Sequence, residues 1–266
     1  MKTLATLLFL LYSFSCAHAQ APSGKHFADV VYVEDGDAYR TERCRLDLYI
    51  PQGIKDFVTV IWYHGGGLTG GEREIPSDLK DRGIAIVGVG YRLSPKAKVS
   101  EIISDAADAV KWTMDHIEAY GGSKNKIVLA GHSAGAYLAL MLALDSSHLA
   151  RLGLSANDLL GVVSLSAQTI THFTARAEQG IAINQPTIDK LAPLFWVRKD
   201  APRITLITGD RELEMVGRYE ENAYLARMLK ITGHPQVKLL ELDGFDHGMT
   251  YPAFPLLLKE IAYWSK

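Results

Sequence analysis

The residue whose setting most clearly indicates chemistry is a serine between two glycines. Residues Gly131–Gly135 read Gly-His-Ser-Ala-Gly; the apolar run Ile127–Ala130 precedes them, and a segment rich in Ala and Leu follows. The Gly-x-Ser-x-Gly pattern needs such a strand–turn–helix setting to present its serine. The glycines permit a very tight turn, which would hold Ser133 in a strained conformation with its hydroxyl projecting. We therefore predict that Ser133 is a nucleophile; the alternative is a glycine-rich turn.

A run of three glycines lies further upstream. The β-branched and aromatic stretch Thr59–Tyr63 predicts a strand, and His64–Gly67 (His-Gly-Gly-Gly) follows it directly. Successive glycines expose backbone N–H groups with no Cβ to block an approaching oxyanion. The segment therefore indicates a site that stabilises negative charge, against the alternative of a flexible loop after an edge strand.

Together the two motifs resemble the α/β-hydrolase family, in particular the His-Gly-Gly-Gly carboxylesterases related to hormone-sensitive lipase and the exported hydrolases similar to acetyl-xylan and feruloyl esterases. The segment Gly90–Pro95 is also similar to that family's segment after its next strand. The resemblance covers nearly the whole mature chain. It implies an oxyanion hole made by the N–H groups of Gly66, Gly67 and Ala134, and a triad in the chain order serine, acid, histidine.

The base of such a triad must follow the serine. Only His247 comes after a predicted strand, Val237–Leu242, and sits in a loop, Asp243–Gly248. A loop after the last strand can bring an imidazole over the carboxyl end of the sheet, so we predict His247 as the base rather than a surface histidine. The other eight histidines are His18 in the leader, His26 and His64 ahead of the serine, His132 beside it in the turn, His116 and His148 in helix-like segments, and His172 and His234 in loop-like ones.

The acid is expected in the loop after the predicted strand Arg203–Thr208. Related hydrolases usually carry it three residues after the glycine of this loop, which points to Glu212. Asp210, one residue after Gly209, is the more usual residue type, and glutamate also occurs as a triad acid. We favour Glu212 on spacing, keep Asp210 as the alternative, and expect the other carboxylate to cap the next helix or pair with Arg211.

The N-terminus reads as a signal peptide, residues 1–19. A short positive end precedes the mostly apolar run Leu4–Phe14, and Ala17–Ala19 forms an A-x-A cleavage site, which gives a mature start at Gln20. The expected location is therefore periplasmic or secreted, with lipoprotein attachment through Cys16 as the weaker alternative. Cleavage would leave one cysteine, Cys44, which cannot form an internal disulfide.

Residues 20–266 have the length of a single α/β domain. The chain has 266 residues and a formal charge of −2, which indicates neither nucleic acid nor an anionic membrane as a partner. Predicted strands and helices alternate, which favours a mostly parallel central sheet with helices on both faces, the α/β-hydrolase fold that the resemblance implies. The predicted elements besides those named are the strands 27–33, 44–49, 84–89 and 162–166, a turn at 35–37, and the helices 102–119, 219–229 and 254–264.

The irregular segment 167–202 is expected to be a short cap or linker and no separate domain. Its aromatic residues Phe173, Phe195 and Trp196 either line the substrate site or pack the cap onto the core. Its apolar residues are scattered and interrupted by charges and prolines, so no amphipathic lid is expected and the acyl site should be small.

The expected function is hydrolysis of short-chain carboxylic esters, with acetylated or feruloylated sugars suggested by analogy alone. No cofactor and no metal are expected, and the substrate is a small-molecule or carbohydrate ester with no nucleic-acid or membrane partner after signal cleavage. An amide or formamide hydrolase similar to kynurenine formamidase would use the same apparatus. A non-catalytic binding module on the same fold is the alternative from another class.

Overall fold

One mixed sheet organises residues 24–215 and 217–266, the part of the chain that the computed structural model describes. Its strands are β1 (Lys25–Val31), β2 (Arg45–Ile50), β3 (Phe57–Tyr63), β4 (Ala85–Val89), β5 (Gly122–His132), β6 (Gly161–Leu165), β7 (Ile204–Gly209) and β8 (Val237–Leu242). They lie in the order β1-β2-β4-β3-β5-β6-β7-β8. The predicted signal peptide, residues 1–19 with Cys16, lies outside the described residues.

The sheet is parallel apart from its first two strands. β2 pairs antiparallel with both β1 and β4. The remaining pairs, from β4–β3 through to β7–β8, are parallel. The carboxyl ends of β5, β6, β7 and β8 therefore meet at one edge of the sheet. This arrangement confirms the predicted mostly parallel sheet, and it places the loops after these four strands beside one another.

Helices cover both faces of the sheet. They are α1 (Ala38–Arg43), α2 (Val99–His116), α3 (Ala134–Leu144), α4 (Ser147–Ala150), α5 (Phe173–Glu178), α6 (Arg218–Ile231) and α7 (Thr250–Trp264). Successive side chains of a strand point to opposite faces. Ile61 and Tyr63 accordingly join the larger core with α2, α3 and α6, whereas Val60 and Trp62 pack with α7. Within the described residues, no helix is both long enough and apolar enough to cross a bilayer.

The predicted turn at residues 35–37 leads directly into α1, a helix that the sequence pattern did not predict. The Asp37 side chain accepts hydrogen bonds from the N–H groups of Tyr39 (3.0 Å) and Arg40 (3.1 Å), which caps α1. A helix of six residues is too short to show helical periodicity in a sequence.

The segment 167–202 carries little regular structure. It contains α5 and a short 3₁₀ turn, Pro193–Trp196. Trp196 packs against the larger core and its indole N–H donates to the carbonyl oxygen of Lys190 at 2.9 Å, while Phe195 is 48% exposed. Of the three aromatic residues singled out in this segment, Trp196 thus packs the segment onto the domain.

Candidate active site

Ser133 stands in the turn between β5 and α3. Its backbone has φ 54° and ψ −115°, a conformation that residues with a side chain rarely adopt. The conformation of this turn is fixed because the residues two positions before and two positions after Ser133 must be glycine. A Cβ on Gly131 would lie 2.6 Å from the carbonyl oxygen of Tyr63, and one on Gly135 would overlap the same carbonyl group. The turn therefore packs directly against the main chain at the end of β3, and it holds Ser133 at the carboxyl end of the sheet.

The Ser133 hydroxyl is paired with the predicted histidine. Nε2 of His247 lies 3.0 Å from Oγ of Ser133, and Nδ1 of His247 lies 2.9 Å from Oε2 of Glu214. The side chain of Glu214 is 0% exposed and that of His247 is 25% exposed. The three side chains form a continuous hydrogen-bonded chain from a buried carboxylate to an accessible hydroxyl.

The carboxylate in this chain is Glu214, so the prediction of Glu212, with Asp210 as alternative, is wrong. Asp210 instead accepts from the N–H groups of Glu212 and Gly244, each at 2.9 Å, and Glu212 is exposed. Asp210 thus stabilises the loop through these two hydrogen bonds. Arg211 pairs with Glu241, at 2.6 Å, rather than with either candidate.

Glu214 does not have the usual spacing from Gly209 because the loop after β7 turns back on itself. The N–H groups of Leu213 (3.0 Å) and Glu214 (2.8 Å) donate to the carbonyl oxygen of Asp210. This turn returns Glu214 to the end of β7, where the N–H of Gly209 donates to its Oε1 at 3.0 Å. The carboxylate beside His247 therefore lies two positions later than the usual spacing, and nothing in the sequence marks that extra turn.

Ser166 is a further residue at this site. The sequence pattern predicts it only as the last residue of the strand 162–166. Its hydroxyl donates to Oε1 of Glu214 at 2.5 Å, and the same Oγ lies 2.9 Å from Nδ1 of His247. Ser166 is fully buried and has φ 54°, and its carbonyl oxygen accepts from a guanidinium N–H of the buried Arg218. Ser166 thus contacts both the carboxylate and the imidazole.

The surroundings of Glu214 keep it ionised. Burial, the largest single influence, favours the neutral form. The hydrogen bonds from His247, Ser166 and the N–H of Gly209, together with the charge of His247, outweigh burial and lower the pKa of Glu214 to about 2. A carboxylate in this state can orient an imidazole and stabilise its protonated form.

The glycine loop, His64–Gly67, lies beside Ser133. A Cβ on Gly65 would lie 3.6 Å from the Cβ of Ser133, and Gly66 (φ 110°) and Gly67 (φ 64°) have backbones that favour glycine. In residues 24–215 and 217–266, no group accepts a hydrogen bond from the N–H of Gly66, Gly67 or Ala134. The three N–H groups implied by the resemblance are therefore unengaged, and the loop that carries two of them approaches Ser133 at Gly65.

Neighbouring side chains hold this loop in place. Tyr91 stacks on His64 with ring centroids 4.2 Å apart, and its hydroxyl donates to the carbonyl oxygen of His64 at 2.6 Å. Burial lowers the pKa of His64 to about 4, so this histidine stays neutral. The hydroxyl of Thr174 donates to the carbonyl oxygen of Gly67 at 2.5 Å.

Phe173 packs against the same loop. A Cβ on Gly67 would lie 2.9 Å from Cζ of Phe173, so the ring packs directly over that glycine. Its N–H donates to Oε1 of the buried Gln168 at 2.8 Å. Of the aromatic residues in segment 167–202, Phe173 is the one that contacts the glycine loop.

No cluster of three or more potential metal ligands occurs among the described residues, and the Asp35–Asp37 turn is occupied by helix capping and by an ion pair between Asp35 and Arg40.

Comparison with known proteins places the chain in a family. The sequence profile of the BD-FAE family matches residues 46–226, more than half of the chain, from β2 through most of α6. The chain belongs to the BD-FAE family. A solved structure titled as a truncated form of a carbohydrate esterase from gut microbiota superposes on this BD-FAE chain with a TM-score of 0.76 at 17% identity, covering 93% of this chain and 98% of that one. The fold is the α/β-hydrolase fold, as predicted.

The curated relatives of this BD-FAE chain are longer proteins. A probable isoprenylcysteine alpha-carbonyl methylesterase of Oryza sativa subsp. japonica is 37% identical over 115 residues, which are 40% of this chain and 27% of that protein. Esterase LipC of Mycobacterium tuberculosis is 27% identical over 221 residues, 76% of this chain and 52% of that protein. The chain thus spans between about a quarter and a half of the length of these two relatives.

Proposed function

We propose that this protein is a serine carboxylesterase in which Ser133 is the nucleophile, His247 the general base and Glu214 the acid of the triad. The observation that carries the proposal is the hydrogen-bonded chain Glu214–His247–Ser133, with distances of 2.9 and 3.0 Å. Its chain order is serine, acid, histidine, as in other α/β-hydrolases. Membership of the BD-FAE family and the esterase names of the two curated relatives support the same reaction class.

Acylation begins when Nε2 of His247 takes the proton of the Ser133 hydroxyl as Oγ attacks the ester carbonyl. The buried Glu214 carboxylate accepts from Nδ1 of His247, which selects the tautomer whose Nε2 is free to accept a proton. The protonated imidazole then gives that proton to the alkoxide leaving group as the tetrahedral intermediate collapses. The alcohol departs and the acyl group stays on Ser133.

The negative charge on the carbonyl oxygen is stabilised by the N–H groups of Gly66, Gly67 and Ala134. Since no described group accepts from them, they need no rearrangement when the charge develops. Loss of one such donor costs roughly 3–4 kcal/mol of transition-state stabilisation in enzymes of this kind. His247 then takes a proton from water as the water oxygen attacks the acyl carbon. The bond between that carbon and Oγ of Ser133 breaks, the imidazolium returns the proton to Oγ, and the carboxylic acid product leaves.

The substrates we propose are esters of short acyl groups. The ring of Phe173 over Gly67 restricts the space beside the oxyanion loop, and the segment 167–202 builds no long amphipathic helix over the cleft. Sugar-linked acetyl or feruloyl groups are the physiological candidates that we propose, by analogy with the carbohydrate esterase from gut microbiota that shares this fold. Export to the periplasm or medium, proposed from residues 1–19, fits a substrate met outside the cytoplasm.

The test combines turnover with trapping of the nucleophile. Purified protein is assayed on p-nitrophenyl esters, acetyl-xylan and formyl-kynurenine, and is treated with an organophosphate before peptide mass spectrometry. We expect ester hydrolysis and a phosphoryl adduct on Ser133. An adduct on another residue, or turnover of the formamide far exceeding that of every ester, would contradict the proposed function.

A further inference from the structure

The loop that carries His247 is poorly covered. Residues 243–246 are exposed, and only Met249 on its far side is buried. An exposed loop must be held by hydrogen bonds if its imidazole is to stay at one distance from Ser133. One such bond joins the N–H of Asp210 to the carbonyl oxygen of Phe245 at 2.7 Å.

A second bond reaches His247 itself. Nε2 of His132 lies 2.8 Å from the carbonyl oxygen of His247, and the two imidazole rings lie 4.8 Å apart at an angle of 44°. A carbonyl oxygen only accepts, so His132 must carry its proton on Nε2 and donate it. Among the described residues, no other side chain donates to this carbonyl oxygen.

His132 is the residue directly before Ser133. It ends β5, a strand paired on both sides, and its Nδ1 would lie 3.2 Å from a Cβ on Gly65, so the ring is packed against the glycine loop. One residue of the rigid sheet thus positions both partners of the Ser133–His247 hydrogen bond. It holds Ser133 through the backbone and His247 through its side chain.

The electrostatics of His132 suit a neutral donor. Burial, followed by the charge of the adjacent His247, lowers the pKa of His132 to about 4, against the opposing effects of the hydrogen bond to the His247 carbonyl and the charge of Glu214. A neutral ring adds no positive charge beside the imidazole that must accept the proton of Ser133.

We propose that His132 is a positioning residue, whose Nε2–H hydrogen bond to the main chain of His247 holds the base at the distance that proton transfer from Ser133 requires. The inference rests on the proposed esterase function. Residue 132, directly before the nucleophile, then has a role in the rate of the chemical steps and none in substrate binding.

The test uses three substitutions at one position. His132→Gln keeps an N–H donor at nearly the same reach from Cβ, His132→Asn has the same amide one methylene shorter, and His132→Phe keeps a ring without a donor. We expect kcat to fall roughly 10- to 100-fold in the Asn and Phe variants, with KM within about twofold of wild type. His132→Gln should recover most of the lost kcat.

Two further readouts keep a folding defect apart from the proposed role. Circular dichroism and Tm identify any variant that does not fold, and the Gln and Asn pair decides the question even if the Phe variant is lost. The rate of organophosphate labelling of Ser133 should fall in the same order as kcat, because that step also needs the base.

Wild-type kcat in His132→Asn and His132→Phe would overturn the inference, as would a Gln variant as slow as the Asn variant or a change confined to KM. These outcomes leave the esterase function standing, since they require an active wild-type protein. A wild-type protein that neither hydrolyses esters nor labels on Ser133 would instead overturn the proposed function itself.

Discussion

The turn that carries Ser133 and the loop that carries Glu214 belong to one site but are specified in different ways. In the turn, the main chain decides the geometry: Gly131 and Gly135 are required because the carbonyl group of Tyr63 at the end of β3 leaves no room for a Cβ. In the loop, the position of Glu214 depends on side chains far away in the sequence, namely Ser166 directly after β6 and His247 after β8. A backbone contact that only glycine permits leaves a motif in a sequence, whereas hydrogen bonds between distant side chains do not.

The largest effect is expected at the turn. Ser133→Ala should lower kcat/KM for p-nitrophenyl acetate by roughly 10⁴-fold or more, because among the described residues only the Ser133 hydroxyl is hydrogen-bonded to Nε2 of His247. Stability should stay within about 1 kcal/mol of wild type, since Ala tolerates this backbone no worse than Ser. Urea denaturation and steady-state kinetics check both statements. Retained turnover in a folded variant would show that Ser133 is not the nucleophile.

Ser166→Ala tests the long-range side of the comparison. Loss of a hydrogen bond to an ionised, buried group should lower stability by about 1.5–3 kcal/mol and kcat/KM by roughly tenfold. The hydrogen bond from Ser166 is one of those that lower the pKa of Glu214 from 4.5 to about 2, so without it this pKa should rise and the fall in stability on acidification below pH 4.5 should be smaller than in the wild type.

Ser164→Ala is the matched control for this substitution. Ser164 is buried on β6, two residues before Ser166, and its hydroxyl has no hydrogen-bond partner in the described part of the chain. Its replacement should leave the fall in stability on acidification unchanged. An equal change in both variants would show that Ser166 acts through packing at the end of β6 and not through Glu214.

The preferred length of the acyl group tests the role of Phe173 beside the glycine loop. We expect kcat/KM to be highest for acetyl to butyryl esters and to fall beyond about six carbons, each methylene left outside the site forgoing ~0.8 kcal/mol of burial. Phe173→Ala should move the optimum to longer chains, whereas the exposed Phe195→Ala should not. Efficient palmitoyl hydrolysis by the wild type, or an unchanged profile in Phe173→Ala, would contradict the assignment.

Much of the fold was predictable because periodicity and glycine patterns are local. The predicted strand Val237–Leu242 has the observed bounds, and the helix predicted at 102–119 begins three residues earlier, at Val99, and is continued after His116 by a 3₁₀ turn. The contact between Ser133 and His247 followed from the topology, since both lie at the carboxyl ends of parallel strands. Glu214 and Ser166 were missed because a reversal within a loop and a hydroxyl at the end of a buried strand carry no pattern.

The smallest effect concerns the pH dependence of stability. Burial, followed by the charges of Arg218 and Arg176, lowers the pKa of His172 from 6.5 to about 3. The unfolded chain therefore binds a proton below pH 6.5 that the folded chain does not bind until about pH 3, so stability falls as pH decreases across this window. His172→Asn, which can still accept the N–H of Thr174 that His172 accepts, should reduce the fall.

Urea midpoints measured at about pH 7 and pH 5 would check this, because Glu214 and most carboxylates stay ionised between them. His116→Asn, on the exposed side of α2, is the control for the change of residue type. A pH dependence that His172→Asn leaves as steep as in wild type would argue against a neutral, buried His172.

The comparison of Glu214→Gln with Glu212→Gln and Asp210→Asn tests the central claim most directly. Glutamine keeps the shape of Glu214 but removes the charge that orients and stabilises the imidazole, so kcat should fall roughly 10³- to 10⁴-fold. Glu212→Gln should retain kcat within about twofold, and Asp210→Asn should act mainly on stability through the loop that it holds. A Glu214→Gln variant with near-normal kcat, or a larger loss in either of the other two, would contradict the triad Ser133–His247–Glu214.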